Sequence, residues 1–102
     1  MTEYNKLVRD KIPEIIETSG ERANVRILED GEYFRELRKK LGEEVGEYLE
    51  SGDSAELADI LEVVLALAGA SGISSEELWQ IYGKKHRERG GFEKKIFLVS
   101  KE

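Results

Sequence analysis

The stretch GEEVGEYLESGDSAELADILE, residues 42–62, decides how this chain folds. Apolar residues recur at three- and four-residue steps before SGD, a turn sequence at 51–53, and are denser after it. That spacing is typical of amphipathic helices. Two helices joined by so short a loop become antiparallel neighbours. The stretch therefore predicts a helical hairpin with its turn at 51–53.

The ends of the two hairpin arms carry recognisable signals. Asp30 is the expected N-cap of the first arm, which runs to about Glu50. Asp53 is the expected N-cap of the second arm, and Glu56 stands three residues later, in register for a capping box. Gly72 is expected to end the second arm.

Further elements are predicted on both sides of the hairpin. Pro13 begins a short helix through about Thr18, and Ser74 begins a fourth helix. NVRIL (24–28) and KIFLVS (95–100) have β character and are expected to pair as a minor ribbon. The predicted fold class is all-α, of the four-helix-bundle type.

The second hairpin arm is apolar around most of its circumference. A helix of this kind must be covered on most sides. Few elements remain in the chain to cover it, so we expect self-association that completes the bundle between subunits. The apolar residues of this arm are Leu57, Ile60, Leu61, Val63, Val64, Leu65 and Leu67.

Length and charge narrow the class of protein. A chain of 102 residues suits one domain, covering 1–102. The net charge of −6 disfavours nucleic acid and anionic membranes as partners. The absence of cysteine excludes disulfides and thiolate metal sites, and no signal peptide or membrane-spanning run is present. We therefore expect a soluble cytoplasmic protein.

Four acidic residues of the hairpin share one predicted geometry. Glu44 and Glu47 lie three residues apart on the first arm, as do Glu56 and Asp59 on the second. Residues equally far from the turn lie at the same height in an antiparallel pair, so Glu47 faces Glu56 and Glu44 faces Asp59. Four converging carboxylates, without Cys or His, suit Mg²⁺ or Mn²⁺ and phosphate chemistry.

A plainer interpretation stands beside the cation site. Glutamate is common on helix surfaces, and Glu56 has the capping role available. Glu43, Glu50 and Glu62 are also acidic and can simply solvate the hairpin. Short acidic patterns occur in many proteins without a metal. Spacing alone leaves both interpretations open.

Three motifs in order resemble a known group of enzymes. EEVGE (43–47) followed by ELAD (56–59) resembles the EExxE…ExxD signature of the MazG-like all-α nucleoside triphosphate pyrophosphohydrolases. YNKLVRDKIPEII (4–16) and RGGF (89–92) resemble a house-cleaning branch of that superfamily. The superfamily also includes the phosphoribosyl-ATP pyrophosphohydrolases. Together these motifs reach from one end of the chain to the other.

The resemblance implies a function and a set of site residues. It implies Mg²⁺-dependent hydrolysis of a nucleoside triphosphate to monophosphate and pyrophosphate, by a homodimer or homotetramer. Glu43 would orient or deprotonate the attacking water. The implied metal ligands are Glu44, Glu47, Glu56 and Asp59.

One departure from the family pattern concerns substrate choice. Only eight residues separate Glu47 from Glu56, whereas many relatives have a longer insertion. The shorter hairpin leaves open which nucleotide is admitted. Two alternatives to the leading function remain: phosphoribosyl-ATP hydrolysis, and a non-catalytic helical oligomer that serves as an interaction module.

Basic and aromatic residues near the end of the chain are candidates for substrate contacts. Lys85 and Arg89 belong to the KxxxRGGF pattern and are predicted to bind phosphates, although an exposed helix terminus explains them equally well. Trp79 and Tyr82 are expected to pack on a helix face, and His86, the only histidine, is expected to be solvated.

A second basic group, Lys6, Arg9 and Lys11, lies near the amino terminus. Arg9 is expected to form a structural ion pair with its neighbour Asp10.

Overall fold

The central hairpin forms where the sequence places it. The computed structural model describes residues 2–102, in which α2 spans Asp30–Ser51 and α3 spans Ser54–Ala70. Gly52 ends α2 with a φ of +68°, and its N–H donates to the Tyr48 carbonyl. A residue with a side chain is strained in this left-handed conformation, so glycine lets the chain reverse direction here. The predicted all-α fold with a helical hairpin is confirmed.

The turn is completed by the cap of α3. The Asp53 carboxylate accepts a hydrogen bond of 2.9 Å from the Ala55 N–H. The expected capping box with Glu56 is not formed, because the Asp53 N–H donates instead to the Ser51 hydroxyl, at 3.1 Å. The carboxylate of Glu56 is thereby free of a capping role.

The start of α2 differs by one residue from the prediction. The N-cap is Glu29, in an extended conformation, and Asp30 is the first helical residue. The Glu29 side chain makes no capping hydrogen bond. Asp30 and Glu32 place negative charge in the first turn, where it interacts favourably with the positive end of the helix dipole.

Two shorter helices flank the hairpin. α1 spans Ile12–Thr18 and has its proline in the first turn. α4 spans Ser75–Arg89. The predicted capping box of α4 is confirmed: the Ser74 hydroxyl accepts from the Glu77 N–H at 3.1 Å, and the Glu77 carboxylate accepts from the Ser74 N–H at 3.3 Å.

The expected β ribbon is wrong. No strand occurs anywhere in residues 2–102, and 24–28 and 95–100 are irregular. Ile27 is 91% exposed and Phe97 is 88% exposed. Local β character does not produce strands here, because an isolated two-stranded ribbon has only marginal stability unless a further layer packs on it.

The helices pack as a chain of neighbours rather than as a closed bundle. α2 packs on α3 and α3 packs on α4, whereas α1 packs on none of these helices. Only three apolar side chains among the described residues are buried: Leu37, Val63 and Ala68. The radius of gyration is 17.9 Å, against about 13 Å for a compact chain of this length. A single copy is therefore extended and leaves much of its apolar surface open.

No individual helix within residues 2–102 combines the length and the apolar composition needed to cross a bilayer. α3 and α4 meet those criteria only when taken together, across a bend of 109°.

Candidate metal centre

Three carboxylates from the two hairpin arms meet in space. Glu44 of α2 and Glu56 and Asp59 of α3 each offer an oxygen, and these oxygens lie within 4.8 Å of one another. The three-residue spacing places Glu56 and Asp59 on one face of α3. The short turn then sets that face against Glu44. These three residues are called the carboxylate cluster below.

Glu47, the fourth predicted member, borders the cluster without joining it. Its side chain is exposed, and it is not among the three whose oxygens are mutually close. Its negative charge is nevertheless near enough to help raise the pKa values of Glu44 and Glu56 above the ordinary glutamate value. The hairpin register thus brings three of the four acids together and leaves Glu47 at the edge.

Glu44 is buried and incompletely paired. It is 8% exposed, and its Oε2 atom has no hydrogen-bond partner. Its Oε1 atom lies 3.8 Å from the Lys40 Nζ, a long ion pair between residues four apart on α2. Burial first, and then repulsion by Glu47 and Asp59, raise the pKa of Glu44. An ionised carboxylate in this position is costly unless a cation satisfies it.

Glu56 shares this environment on the opposite arm. Its pKa is also raised, first by partial desolvation and then by the charges of Glu47 and Asp59. Like charges held together disfavour ionisation of each other. The cluster therefore favours either bound protons or a bound cation.

Asp59 has a partner that the sequence did not predict. Arg9 Nη2 lies 3.0 Å from Asp59 Oδ1, in a hydrogen-bonded ion pair that joins residues 50 positions apart. The expected pair between Arg9 and Asp10 is therefore wrong, because the guanidinium reaches across to α3. The amino-terminal segment also lies along α2, where Lys6 and Leu7 line a small depression.

The donor set suits a hard divalent cation. The cluster offers only carboxylate oxygens, which are ligands that Mg²⁺ and Mn²⁺ accept. Four carboxylates, counting Glu47, face two paired cations, Arg9 and Lys40, so two formal negative charges are left unmatched when all four are ionised. The unpartnered Glu44 oxygen points to the same conclusion. The three clustered carboxylates can hold a metal ion, although the geometry does not select one ion.

Glu43, the predicted proton acceptor, lies outside the cluster. It is exposed, and with Lys6, Leu7 and Lys40 it lines the small depression beside α2. Since Glu43 and Glu44 are adjacent on α2, their side chains project about 100° apart around the helix. The proposed role of Glu43 stays a prediction.

Lys85 and Arg89 lie in the last turns of α4 and are exposed. Neither takes part in an ion pair with another residue in the described part of the chain. The cluster is near the start of α3, whereas α4 leaves from the other end of that helix at a bend of 109°. Phosphate binding by these two residues stays a prediction.

The aromatic residues of α4 contact one another. Trp79 meets Tyr82 edge to face, with ring centroids 5.5 Å apart, and Tyr82 stacks on His86 at 5.8 Å. Trp79 and Tyr82 are both about half exposed. Their expected helix-face packing is not completed within a single copy.

An apolar groove of about 640 Å³ lies elsewhere between α2 and α3. It contains no acidic residue, so it is separate from the carboxylate cluster. Its lining residues are Phe34, Arg38, Leu41, Gly42, Val45, Leu67 and Ser71.

Comparison with known proteins adds one relative. An uncharacterized protein of Mycolicibacterium smegmatis is 47% identical over 53 residues, which are 52% of this chain and 53% of the relative. The matched segment thus spans about half the length of that curated relative. No protein-family profile and no solved structure matches the chain. The relative's description carries no activity, so the functional argument depends on the site itself.

Proposed function

We propose that this chain is a Mg²⁺-dependent nucleoside triphosphate pyrophosphohydrolase of the MazG-like type, acting in the cytoplasm. The observation that carries the proposal is the buried, unpartnered Glu44 oxygen next to Glu56 and Asp59. If the acidic residues served only to solvate the surface, none of them would need to be buried, as Glu44 is. The motif resemblance across the chain supports the same function.

The proposed metal ligands are Glu44, Glu56 and Asp59, with Glu47 completing the set from the edge. Mg²⁺, or Mn²⁺ in its place, would offset the triphosphate charge, polarise the phosphoryl oxygens and acidify a coordinated water. The chain contributes the fixed placement of the carboxylates, because both helices are held by the same short turn. The proposed products are nucleoside monophosphate and pyrophosphate.

Two further roles are part of the proposal. Glu43 accepts the proton of the attacking water, the role that the motif resemblance implies for the first acid of the EE pair, and its side chain is exposed to solvent. Lys85 and Arg89 neutralise the phosphates that leave as pyrophosphate. Because the described contacts of one copy do not bring α4 to the cluster, we assign their contribution to an assembled homodimer or homotetramer.

The open apolar surface supports that assembly. Leu57 and Leu61 on α3, and Trp79 and Tyr82 on α4, are about half exposed in one copy. Large apolar side chains left exposed together on a protein surface mark interaction sites. A second copy that packs on these helices would complete the bundle and bring further residues to the site.

The direct test is the release of pyrophosphate from a panel of ordinary and damaged nucleoside triphosphates, with and without Mg²⁺. We expect release from at least one nucleotide, only with the cation. Glu47→Ala should reduce turnover at least about a hundredfold with the helical circular dichroism unchanged, since it removes a charge that stabilises the bound cation. Substantial activity in this variant would contradict the ligand assignment.

Matched variants separate binding from chemistry. Glu43→Gln should lower kcat while leaving the Mn²⁺ affinity unchanged, because Glu43 is proposed to move a proton and not to hold the ion. Glu50→Gln removes a carboxylate of the same helix away from the cluster and should change neither quantity. Loss of Mn²⁺ affinity in Glu43→Gln would make Glu43 a ligand instead.

The open apolar surface also favours a second candidate, a non-catalytic oligomer that serves as an interaction module. This candidate predicts assembly and cation binding without pyrophosphate release from any nucleotide, including phosphoribosyl-ATP. Release from phosphoribosyl-ATP alone would instead identify the alternative hydrolase.

A further inference from the structure

Arg9 lies at the carboxylate cluster although it comes from the amino-terminal segment, which precedes α1 and is outside the hairpin. One nitrogen of its guanidinium, Nη2, donates to Asp59 Oδ1 at 3.0 Å. The side chain is 55% exposed. The contact therefore holds one corner of the guanidinium at the cluster and leaves the rest accessible to solvent.

The remaining donors of Arg9 are available. Within residues 2–102 the guanidinium makes no hydrogen bond other than the one to Asp59. Its planar array of N–H groups matches the oxygens of a phosphate, which it can bind through two hydrogen bonds. Exposed ion pairs contribute little to stability, so the contact with Asp59 can be exchanged for another anion.

A bound divalent cation would change the charge balance around Arg9. With the cation on the cluster, the guanidinium would stand beside a second positive charge and would be repelled. A polyphosphate carried by the same cation restores a negative partner within reach of Arg9. The guanidinium of Arg9 is thus favourable next to the cluster in two states: when the cluster holds no cation, and when it holds a cation together with an anion.

The amino-terminal segment keeps Arg9 close during such an exchange. Lys6 and Leu7 line the depression on α2, three and two residues before Arg9. The half-exposed Arg9 side chain can therefore turn from one anion to another while the segment that carries it stays in place.

We propose that Arg9 binds a phosphate oxygen of the substrate and exchanges its contact with Asp59 for that oxygen when the divalent cation and polyphosphate arrive. This inference rests on the proposed function and gives the amino-terminal basic group a role in it. Arg9 is then a substrate-binding residue that also competes with the free cation for Asp59.

The test is Arg9→Gln in the full chain, with two binding measurements whose expected changes have opposite signs. The affinity for Mn²⁺ alone, measured from the electron paramagnetic resonance of the free ion, should increase, because a competing cation is removed. The affinity for inorganic triphosphate at saturating Mg²⁺, measured by calorimetry, should fall roughly tenfold, as for loss of one charge-assisted contact. Inorganic triphosphate has no base, so base preference does not enter.

Arg26→Gln is the matched control. Arg26 also pairs with a carboxylate on the molecule's surface, donating to Glu32 at 2.7 and 3.0 Å, and it is exposed. Its loss removes one positive charge and one ion pair away from the carboxylate cluster. Both affinities should match those of the unmodified chain.

Each result decides the inference. A triphosphate affinity that falls no further in Arg9→Gln than in Arg26→Gln overturns it, and so does a decrease in both affinities, which indicates damage to the site. An unmodified chain that binds neither probe overturns the proposed function and this inference together. An unmodified chain that binds triphosphate but releases no pyrophosphate from any nucleotide overturns only the hydrolase, and the comparison of variants still decides the role of Arg9.

Discussion

Glu44 is the side chain of the site that is least favourable to ionise when no metal is bound. It is buried, one of its oxygens has no hydrogen-bond partner, and the nearest cation is 3.8 Å from the other oxygen. In the absence of a metal, these features oppose folding whenever the carboxyl group is ionised. With a metal bound, the same carboxylate becomes a ligand.

Glu44→Gln should therefore have opposite effects on two measurements. At pH 8 without metal, the variant should have a higher free energy of unfolding, because a neutral amide replaces a buried charge among like charges. The stabilisation conferred by Mn²⁺ should disappear. Urea unfolding with and without Mn²⁺ measures both, with Glu50→Gln as the control, and a variant less stable without metal would contradict the interpretation.

The pH dependence of metal stabilisation follows from the raised pKa values of Glu44 and Glu56. The folded, metal-free chain holds these protons more tightly than the unfolded chain does. Their stabilising contribution is complete below the ordinary glutamate pKa of about 4.3 and is lost as the pH rises through the raised folded values.

Mg²⁺ competes with the same protons for the carboxylates. We therefore expect the increase in melting temperature caused by saturating Mg²⁺ to be larger at pH 8 than at pH 5. Thermal scans at the two pH values, each with and without the ion, measure this difference. An increase that is equal at both pH values would show that the ion binds elsewhere.

Part of this residue-scale arrangement could be predicted from the sequence. Helix periodicity and the short turn predicted at 51–53 place Glu44, Glu56 and Asp59 together, because all three lie within one hairpin. The ion pair of Arg9 with Asp59 could not be predicted, since no periodicity relates residues 50 apart on separate segments. The ion pair of Lys40 with Glu44 could be predicted, because a four-residue spacing places both side chains on one face of α2.

At the scale of elements, the turn between α2 and α3 determines whether the carboxylates meet. Gly52 supplies the left-handed residue, and Asp53 caps α3 through its bond to the Ala55 N–H. Neither residue contributes an oxygen to the carboxylate cluster, although the Asp53 carbonyl accepts a hydrogen bond of 3.0 Å from the Glu56 N–H. Both fix the direction in which α3 leaves the turn.

Asp53→Ala should destabilise the chain by about 1 kcal/mol, the usual cost of a lost N-cap, and should also weaken Mn²⁺ binding. Ser74→Ala removes the cap of α4 instead, and should cost a similar free energy while leaving the Mn²⁺ affinity unchanged. Chemical denaturation and metal titration of both variants measure these effects. Equal Mn²⁺ affinities in the two variants would show that the cap of α3 does not affect the metal site.

The outcome for the helices and for the ribbon has one physical reason. A helix satisfies its backbone hydrogen bonds within a continuous segment, so caps and periodicity locate it well. A strand depends on a partner from elsewhere, and local β character at 24–28 and 95–100 does not supply one. The capping box expected for Glu56 also depended on a contact that the pattern does not determine. The Asp53 N–H donates to the Ser51 hydroxyl and not to the Glu56 carboxylate.

At the scale of the whole molecule, the main feature is the apolar surface of the helices that a single copy leaves exposed. The chain extends over 61 × 32 × 23 Å, and the described residues bury few apolar side chains. The sequence could predict that α3 needs cover on most sides. It could not predict how a second copy is arranged, because helix periodicity shows which face is apolar but not which face of another copy packs on it.

Leu61→Lys should shift the chain from oligomer to monomer. Leu61 is 45% exposed on α3, and a lysine there would place a charge in the proposed interface between copies. Sedimentation velocity over a range of concentrations measures the change. Glu62→Lys introduces a lysine at the next position without removing an apolar contact and serves as the control. An unmodified chain that is monomeric at high concentration would refute the assembly.

The two-residue connection between α2 and α3 has a consequence for the order of events during folding. Contacts between neighbours in sequence form early, whereas distant segments and second copies arrive afterwards. We therefore expect the acidic oxygens to come together before Arg9 docks and before any partner is met. For a chain newly released from the ribosome, Lys40 would be the only positive side chain already paired with these oxygens. Dissolved magnesium would then meet the remaining negative charge first, and the arginine would take its place beside Asp59 only later.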